Sequence, residues 1–307
     1  MGLILNDLKN ACELEHVCDY VNNRTTSSMN YISTENMLPN KGGISESTII
    51  PPGTTTEYKI GDILISNIRP YFQKIWCADR CGGCSADVLC IRAKENTDSK
   101  YLYYLLSQQA FFDYVMSGAK GCKMPRGDKK QIMQWPVNIP AIDVQKKVVA
   151  ILSSLDNKIR LNRRINDNLE EQAKALFNHY FIQNTENLGE WQDGVLTDIA
   201  QYLNGLAMQK YPAMPNEAGL PVLKIKELGQ GQCDTNSDRC SSLIKPEYII
   251  SDGTIIFSWS GTLLVDIWCG GKCGLNQHLF KVSSAKYPQW FVFYWTKHHL
   301  NKFIRIA

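Results

Sequence analysis

Two stretches of this 307-residue chain concentrate side chains suited to gripping a polyanion. Gly118 to Lys130 carries five cations (Lys120, Lys123, Arg126, Lys129 and Lys130) against one acid, Asp128, on a backbone with three glycines. Glycines let backbone amides approach a phosphate closely, and the cations neutralise it. The same composition also describes a plain solvated basic loop. The second stretch, Ser66 to Lys74, mixes Asn67, Arg69, Gln73 and Lys74. Guanidinium and primary amide groups can make paired hydrogen bonds to base edges. Further along, Ser260 occupies a comparable loop, and Lys224 and Lys226 add charge. Arg24 and Lys210 read first as ordinary surface charges. The formal net charge of +3 does not indicate a nucleic-acid partner by itself, so any footprint must come from local clustering.

Catalytic and metal-binding patterns are missing. There is no Gly-x-x-x-x-Gly-Lys-Ser/Thr phosphate loop, no Gly-x-Ser-x-Gly nucleophile turn and no Asn/Asp-Pro-Pro-Tyr/Phe motif of the amino-methyltransferases. His16, His179, His278, His298 and His299 form no metalloprotease spacing. Cys77, Cys81, Cys84 and Cys90 invite a zinc reading, but the repeat described below keeps only Cys269 and Cys273 and places Asn276 opposite Cys84. Buried free thiols are the expectation, with no catalytic residue and no metal. The 11 cysteines are an odd number, and Met1 to Asn10 lacks a basic region followed by a long apolar run. No stretch reaches the roughly 18 consecutive apolar residues of a membrane span. A cytoplasmic protein with reduced thiols is expected.

The element that must organise these groups is a long helix. Pro136 and Pro140 punctuate its start, and neither proline nor glycine follows until Gly189. Val148, Leu152, Leu155, Ile159, Asn162, Asn166, Leu169, Ala173, Leu176 and Tyr180 recur at alternating spacings of three and four. That is a heptad seam, with charges on the other faces. About 40 residues at 1.5 Å each give a rod of roughly 60 Å, too long for an ordinary core helix. The two seam asparagines either fix register with a partner helix or mark local exposure. Short β-rich runs flank the rod at Ile63–Ser66, Asp87–Ile91 and Ile255–Ser258. Tyr101 to Val115 and Gln289 to Ile304 read as aromatic-rich amphipathic helices.

The flanks repeat one another. At a shift of 192 positions, seven of the twenty residues from Ile63 to Gly82 are identical, among them Ile75-Trp76-Cys77 on Ile267-Trp268-Cys269. Two copies of one domain separated by a rod are the simplest account. The loops differ (Ser66 to Lys74 against Ser258 to Thr262) while the framework matches, as two different targets would require. After Val115 the first copy runs on through Met116 to Asn138, whereas after Ile304 the second has only three residues.

In this order, the chain resembles the specificity subunit of type I restriction-modification enzymes. The resemblance lies in Asn138-Ile139-Pro140-Ala141-Ile142-Asp143-Val144-Gln145, Ala150-Ile151-Leu152, Leu155-Asp156 and Lys158-Ile159. It continues in Glu170-Glu171-Gln172, Ala175-Leu176-Phe177 and Phe181, and in the Gly61–Ser66 and Asp252–Ser258 segments. It implies an α+β fold of two related target-recognition domains, mixed sheets with helices, joined by a long coiled-coil-type helix. The expected bounds are 1–139, 140–184 and 185–307, the last lacking its end and a second conserved helix. A shortened chain, a natural gene fragment or a self-pairing half subunit would each account for that.

The resemblance further implies that each domain reads one half of a bipartite duplex DNA site, with the basic and amide residues above in contact with it. Methylation subunits and a motor-nuclease subunit would dock through the helix face that holds Val148, Leu152, Leu155, Ile159, Asn162, Asn166, Leu169 and Leu176. S-adenosylmethionine, ATP and magnesium would serve those partners, not this chain. A competing class is a coiled-coil scaffold whose ends bind protein or carbohydrate, for which Trp76, Trp135, Trp191, Trp259, Trp268, Trp290 and Trp295 would suit a sugar platform.

Overall fold

The computed structural model describes residues 11–26, 29–46, 53–183 and 193–304. The leader reading at Met1 to Asn10, together with Gly189 and Trp191, lies outside the described residues. The chain divides into two compact units, Met1–Arg164 and Ile165–Ala307.

In the first unit, strands β1 (Cys12–Glu13), β2 (Cys18–Tyr20), β3 (Arg24–Thr25), β4 (Thr55–Tyr58), β5 (Ile63–Ser66), β6 (Ile75–Cys77), β7 (Gly82–Cys84) and β8 (Val88–Ala93) precede three helices. These are α1 (Ser99–Leu106), α2 (Gln109–Ser117) and α3 (Lys129–Met133). β9 (Pro136–Val137) then returns to pair with β1, and α4 (Ile142–Asn178) follows. One sheet has the order β2-β8-β5-β6 and a second the order β3-β4-β7. The expected run Ile63–Ser66 is the central strand β5, buried along its whole length. Its continuous apolar character follows from cover on both faces. Ile63 and Ile65 join Leu102, Leu106, Phe111 and Phe112 of α1 and α2, while Leu64 joins Tyr58, Trp76 and Cys90 on the other face.

Tyr101 to Val115 is not one helix. It breaks at Ser107-Gln108 into α1 and α2. The Ser107 hydroxyl donates to the Tyr103 carbonyl 2.6 Å away, the local bond by which serine competes with helix continuation, and Gln108 turns extended.

The second unit contains α5 (Leu196–Ile199), β10 (Gln201–Asn204), β11 (Leu220–Leu223), α6 (Ile225–Gln230), β12 (Arg239–Cys240) and β13 (Ile249–Ile250). It ends with β14 (Ile255–Ser258), β15 (Leu264–Ile267), β16 (Cys273–Leu275), β17 (Leu279–Ser283) and α7 (Gln289–Ile304), the last as expected. The sheet orders are β10-β17-β14-β15 and β12-β11-β16-β13. The first repeats β2-β8-β5-β6 strand for strand. β13 pairs antiparallel with β16 as β4 does with β7, and the parallel β11–β16 pairing has its counterpart in the parallel bridge Ile32–Cys84. The internal repeat is therefore a repeat of topology.

Its gapless sequence alignment needs correction. Ile63 pairs with Cys77, whereas Ile255 pairs with Ile267. The return strands are thus offset by two residues, because the loop before β15 is shorter. Trp76 and Trp268 are not equivalent positions. An offset of two preserves the face of a strand. Trp268 therefore still packs with Ile256, as Trp76 does with Leu64. Trp76, Trp135 and Trp268 are core residues rather than a binding platform.

Helix α4 runs on into a single π-helical turn, His179–Gln183. In the first unit, Gln145 is fully buried. Its Nε2 donates to the carbonyls of Pro140 (2.8 Å) and Asn96 (3.0 Å), and its Oε1 accepts from the Asp98 amide (2.8 Å). Asp98 in turn caps α1. A glutamine five residues after Pro140 thus ties the helix start to the cap of α1. One turn further along α1, Tyr104 Oη donates to Asp156 at 2.7 Å. In the second unit, Glu170 pairs with Lys297 at 2.7 Å and the Phe177 ring stacks on Tyr294. Of the seam residues, Val148 and Leu152 are half-buried, while Leu155, Ile159, Asn162, Asn166, Leu169 and Leu176 are exposed. No helix among the described residues is long and apolar enough to cross a membrane.

Candidate nucleic-acid interface

Strand β5 delivers its loop, and the basic segment comes to meet it. Buried Ser66 donates its hydroxyl to the Ile68 carbonyl at 2.9 Å, which turns the chain as it leaves the sheet. The Arg69 amide then donates to the Pro125 carbonyl (2.8 Å), and the Gly127 amide to the Asn67 carbonyl (3.3 Å). Ile68 bridges Arg126, and Arg126 exchanges both backbone hydrogen bonds with Lys120 at 2.9 Å. The two cation-bearing loops, far apart in sequence, are one hydrogen-bonded structure. Gly127 makes the closure possible: a Cβ there would fall 2.8 Å from Val115 Cγ1 and 2.9 Å from Asn67 Oδ1.

Arg69, Lys120, Lys123, Arg126, Lys129 and Lys130 are all exposed. Arg69 is held in the left-handed region at φ 51°, a conformation uncommon for a residue with a Cβ and costing about 1–3 kcal/mol. It starts the short 3-10 turn Pro70–Phe72, which ends on a second left-handed residue, Gln73. Two cations sit beside acids: Arg126 lies 3.1 Å from Asp87, and Lys120 lies 3.1 Å from Asp128. The Lys120 ammonium, joined by the amides of Gln131 and Lys130, holds the Asp128 carboxyl below its usual range. These exposed pairs are weak in water and open readily to a phosphate competitor.

Three expected contacts are placed differently. Asn67 is buried beside Gly127, and its Oδ1 has no hydrogen-bond partner, so the side chain lies in the interior of the loop crossing and not on its surface. Lys74 donates to the Thr34 carbonyl at 2.7 Å and lies over the Phe72 ring, a local brace. The Gln73 amide bonds Gln109. Arg24 is exposed on β3 and lines a pocket together with Ala86 and Lys129.

In the second unit, buried Ser258 also donates to its loop, at 2.7 Å to Thr262 and 3.2 Å to Ser260. Ser260 itself is half-buried. Lys224 bonds Asp238, and Lys226 lies 3.6 Å from Asp234. Both lysines line an open groove of about 710 Å³ together with Gln209, Arg239, Gln277 and His278. Lys210 is exposed on the 3-10 turn Met208–Lys210. Gln209, Arg239, Gln277 and His278 were not among the sequence candidates; they lie on a 3-10 turn, a two-residue strand and the turn between β16 and β17, none with a periodic signal.

Among the described residues, no group of three or more His, Cys, Asp or Glu side chains is placed to hold a metal ion. Cys84 and Cys90 are buried in the core, whereas Cys81 is exposed. Burial pushes the Cys84 and Cys18 thiols up to about 12 and Cys77 to about 11, the behaviour of packed thiols.

Comparison with known proteins agrees with this architecture. Residues 9–171 match the family described as the type I restriction modification DNA specificity domain. The MjaIX type I restriction enzyme specificity subunit of Methanocaldococcus jannaschii is 26% identical over 189 residues, covering 56% of this chain and 44% of that protein. The HindI specificity subunit of Haemophilus influenzae is 29% identical over 161 residues, covering 50% of this chain and 35% of that protein. The matched stretch thus spans under half the length of either relative. The type I restriction-modification S subunit of M. genitalium shares the fold, with a TM-score of 0.51 at 12% identity over 96% of this chain and 78% of that one. With the match extending over more than half its length, the chain belongs to the type I restriction modification DNA specificity domain family.

Proposed function

We propose that this chain reads duplex DNA sequence as the specificity component of a type I restriction-modification complex and performs no chemistry of its own. The observation that carries this is the crossing of the Asn67–Arg69 and Pro125–Gly127 segments, which gathers Arg69, Lys120 and Arg126 at the exit of the central strand. Cations there neutralise phosphates and set the protein's register on the duplex, while hydrogen-bonding heads beside them address base edges in the grooves. The two topologically equivalent units, with unlike loops, each take one half of a bipartite site. The proposed organisation is a first recognition domain at 1–139, the spacer helix at 140–184 and a second recognition domain at 185–307.

Methylation and motor-nuclease subunits dock along the exposed apolar face of α4 and bring S-adenosylmethionine, ATP and magnesium with them. The complex works in the cytoplasm, where the thiols stay reduced. Binding to duplex DNA measured from 50 to 200 mM salt tests the reading. A log–log slope of about −0.9 per neutralised phosphate is expected, and binding that ignores salt would end it.

A further inference from the structure

We propose that Gln277 and His278, between β16 and β17, are specificity-determining residues that read base edges for the second unit. The proposal rests on the DNA-recognition reading above. It begins with sheet register. Ser66 pairs with Val88 where Ser258 pairs with Leu279, and Ile63 pairs with Ile91 where Ile255 pairs with Val282. Asp87 and His278 therefore occupy one structural position, one residue before the inner strand that pairs with β5 or β14, and Ala86 and Gln277 the next.

The hydrogen bonds agree. The Asn67 amide donates to the Asp87 carbonyl at 2.9 Å, and the Trp259 amide donates to the His278 carbonyl at 3.4 Å. In both units a buried serine bonds its own loop at the same point. The junction between the exit of β5 or β14 and the turn before β8 or β17 is thus built twice.

What differs is the side-chain set. The first junction carries Arg69 and, from the Pro125–Gly127 segment that crosses it, Arg126 against Asp87. The second carries Trp259, Gln277 and His278. His278 is exposed and Gln277 half-exposed, and both open onto the groove lined by Lys224, Lys226 and Arg239. The Trp259 ring lies 6.0 Å from the His278 ring, and Gln277 Nε2 is 3.3 Å from His278 Nε2, so the two heads are held side by side. A primary amide can bond the N6 and N7 of adenine in pairwise fashion in the major groove, and an imidazole can serve the neighbouring edge. The flanking lysines are paired with Asp238 and Asp234 and supply phosphate contacts without base preference. A fixed framework with exchanged readers is what two different half-sites require.

The test is selection from a random duplex library with the full 307-residue chain and its Gln277→Ala, Gln277→Glu and His278→Ala variants. Far-UV circular dichroism checks the fold of each. The Trp259 amide bonds a backbone carbonyl, so these exchanges leave the junction in place. Gln277→Ala is expected to lower discrimination at one position of one half-site about 10-fold, and Gln277→Glu to move that preference from adenine towards cytosine. His278→Ala is expected to relax an adjacent position. The other half-site and the gap should be unchanged. If the native chain enriches a bipartite motif and folded variants enrich the same one, Gln277 and His278 are not readers and DNA recognition still stands. If the native chain enriches only one half-site, and the variants leave it unchanged, the second unit does not read bases. If the folded native chain enriches nothing, the DNA reading fails first and this inference with it.

Discussion

Arg126 illustrates how far a residue type can be read before its surroundings are known. Its place on a glycine-rich basic stretch makes it a candidate phosphate ligand. Its backbone bonds to Lys120, and the bonds of its neighbours to Asn67 and Arg69, come from the fold alone. Asn67 and Lys74 show the opposite outcome. Their chemistry suits base and phosphate contacts, yet one is buried beside Gly127 and the other donates to the Thr34 carbonyl. Side-chain type was legible at all three positions and direction was not, because direction depends on which loop crosses which. Charge reversal separates these roles. Lys123→Glu and Arg126→Glu, both at exposed positions, are expected to weaken duplex binding at all sequences. Each should also make the salt slope shallower by about 1 for every phosphate left unneutralised. Titrations of DNA binding at several salt concentrations measure this, and an unchanged slope would remove the loop from the footprint.

At the scale of elements, α4 was the most legible feature, since its periodicity and the proline-bounded start persist over many turns. The role of Gln145 was not legible. A glutamine in a first turn looks like a surface residue, and only the meeting of α4 with the cap of α1 buries it. Gln145→Ala would leave the Asp98 amide and two carbonyls without their partner, a cost of about 1–3 kcal/mol. Urea unfolding should show that loss, and a midpoint equal to that of the native chain would mean water replaces the amide. The seam behaves differently. Leu155, Leu169 and Leu176 are more than half exposed in the isolated chain. Changing all three to lysine should alter its own stability by about 0.5 kcal/mol or less per site. The same variant is expected to lose helix pairing or co-purification with a methylation subunit. An intact assembly would show that this face is not the docking surface. The broken α1–α2 helix escaped sequence reading for a local reason, a serine back-bond worth little in isolation.

At the scale of the whole molecule, the duplication was visible because strand, turn and aromatic helix recur in order, although identity is confined to a few positions. The register was not, since a loop two residues shorter in effect moves Trp268 along its strand while leaving it on the same face. A separate one-residue offset, which sets Val88 against Leu279, conceals the equivalence of Asp87 and His278 on which the proposed readers of the second unit rest. Both units keep the same sheet order and exchange their loop residues, which is the feature a two-part recognition subunit needs. The central claim is that the chain reads sequence, and the most direct measurement is selection of duplexes from a random library by the native chain purified with its methylation subunit. The account predicts a motif in two parts separated by a fixed gap. A folded, DNA-bound sample that enriches no sequence would contradict it.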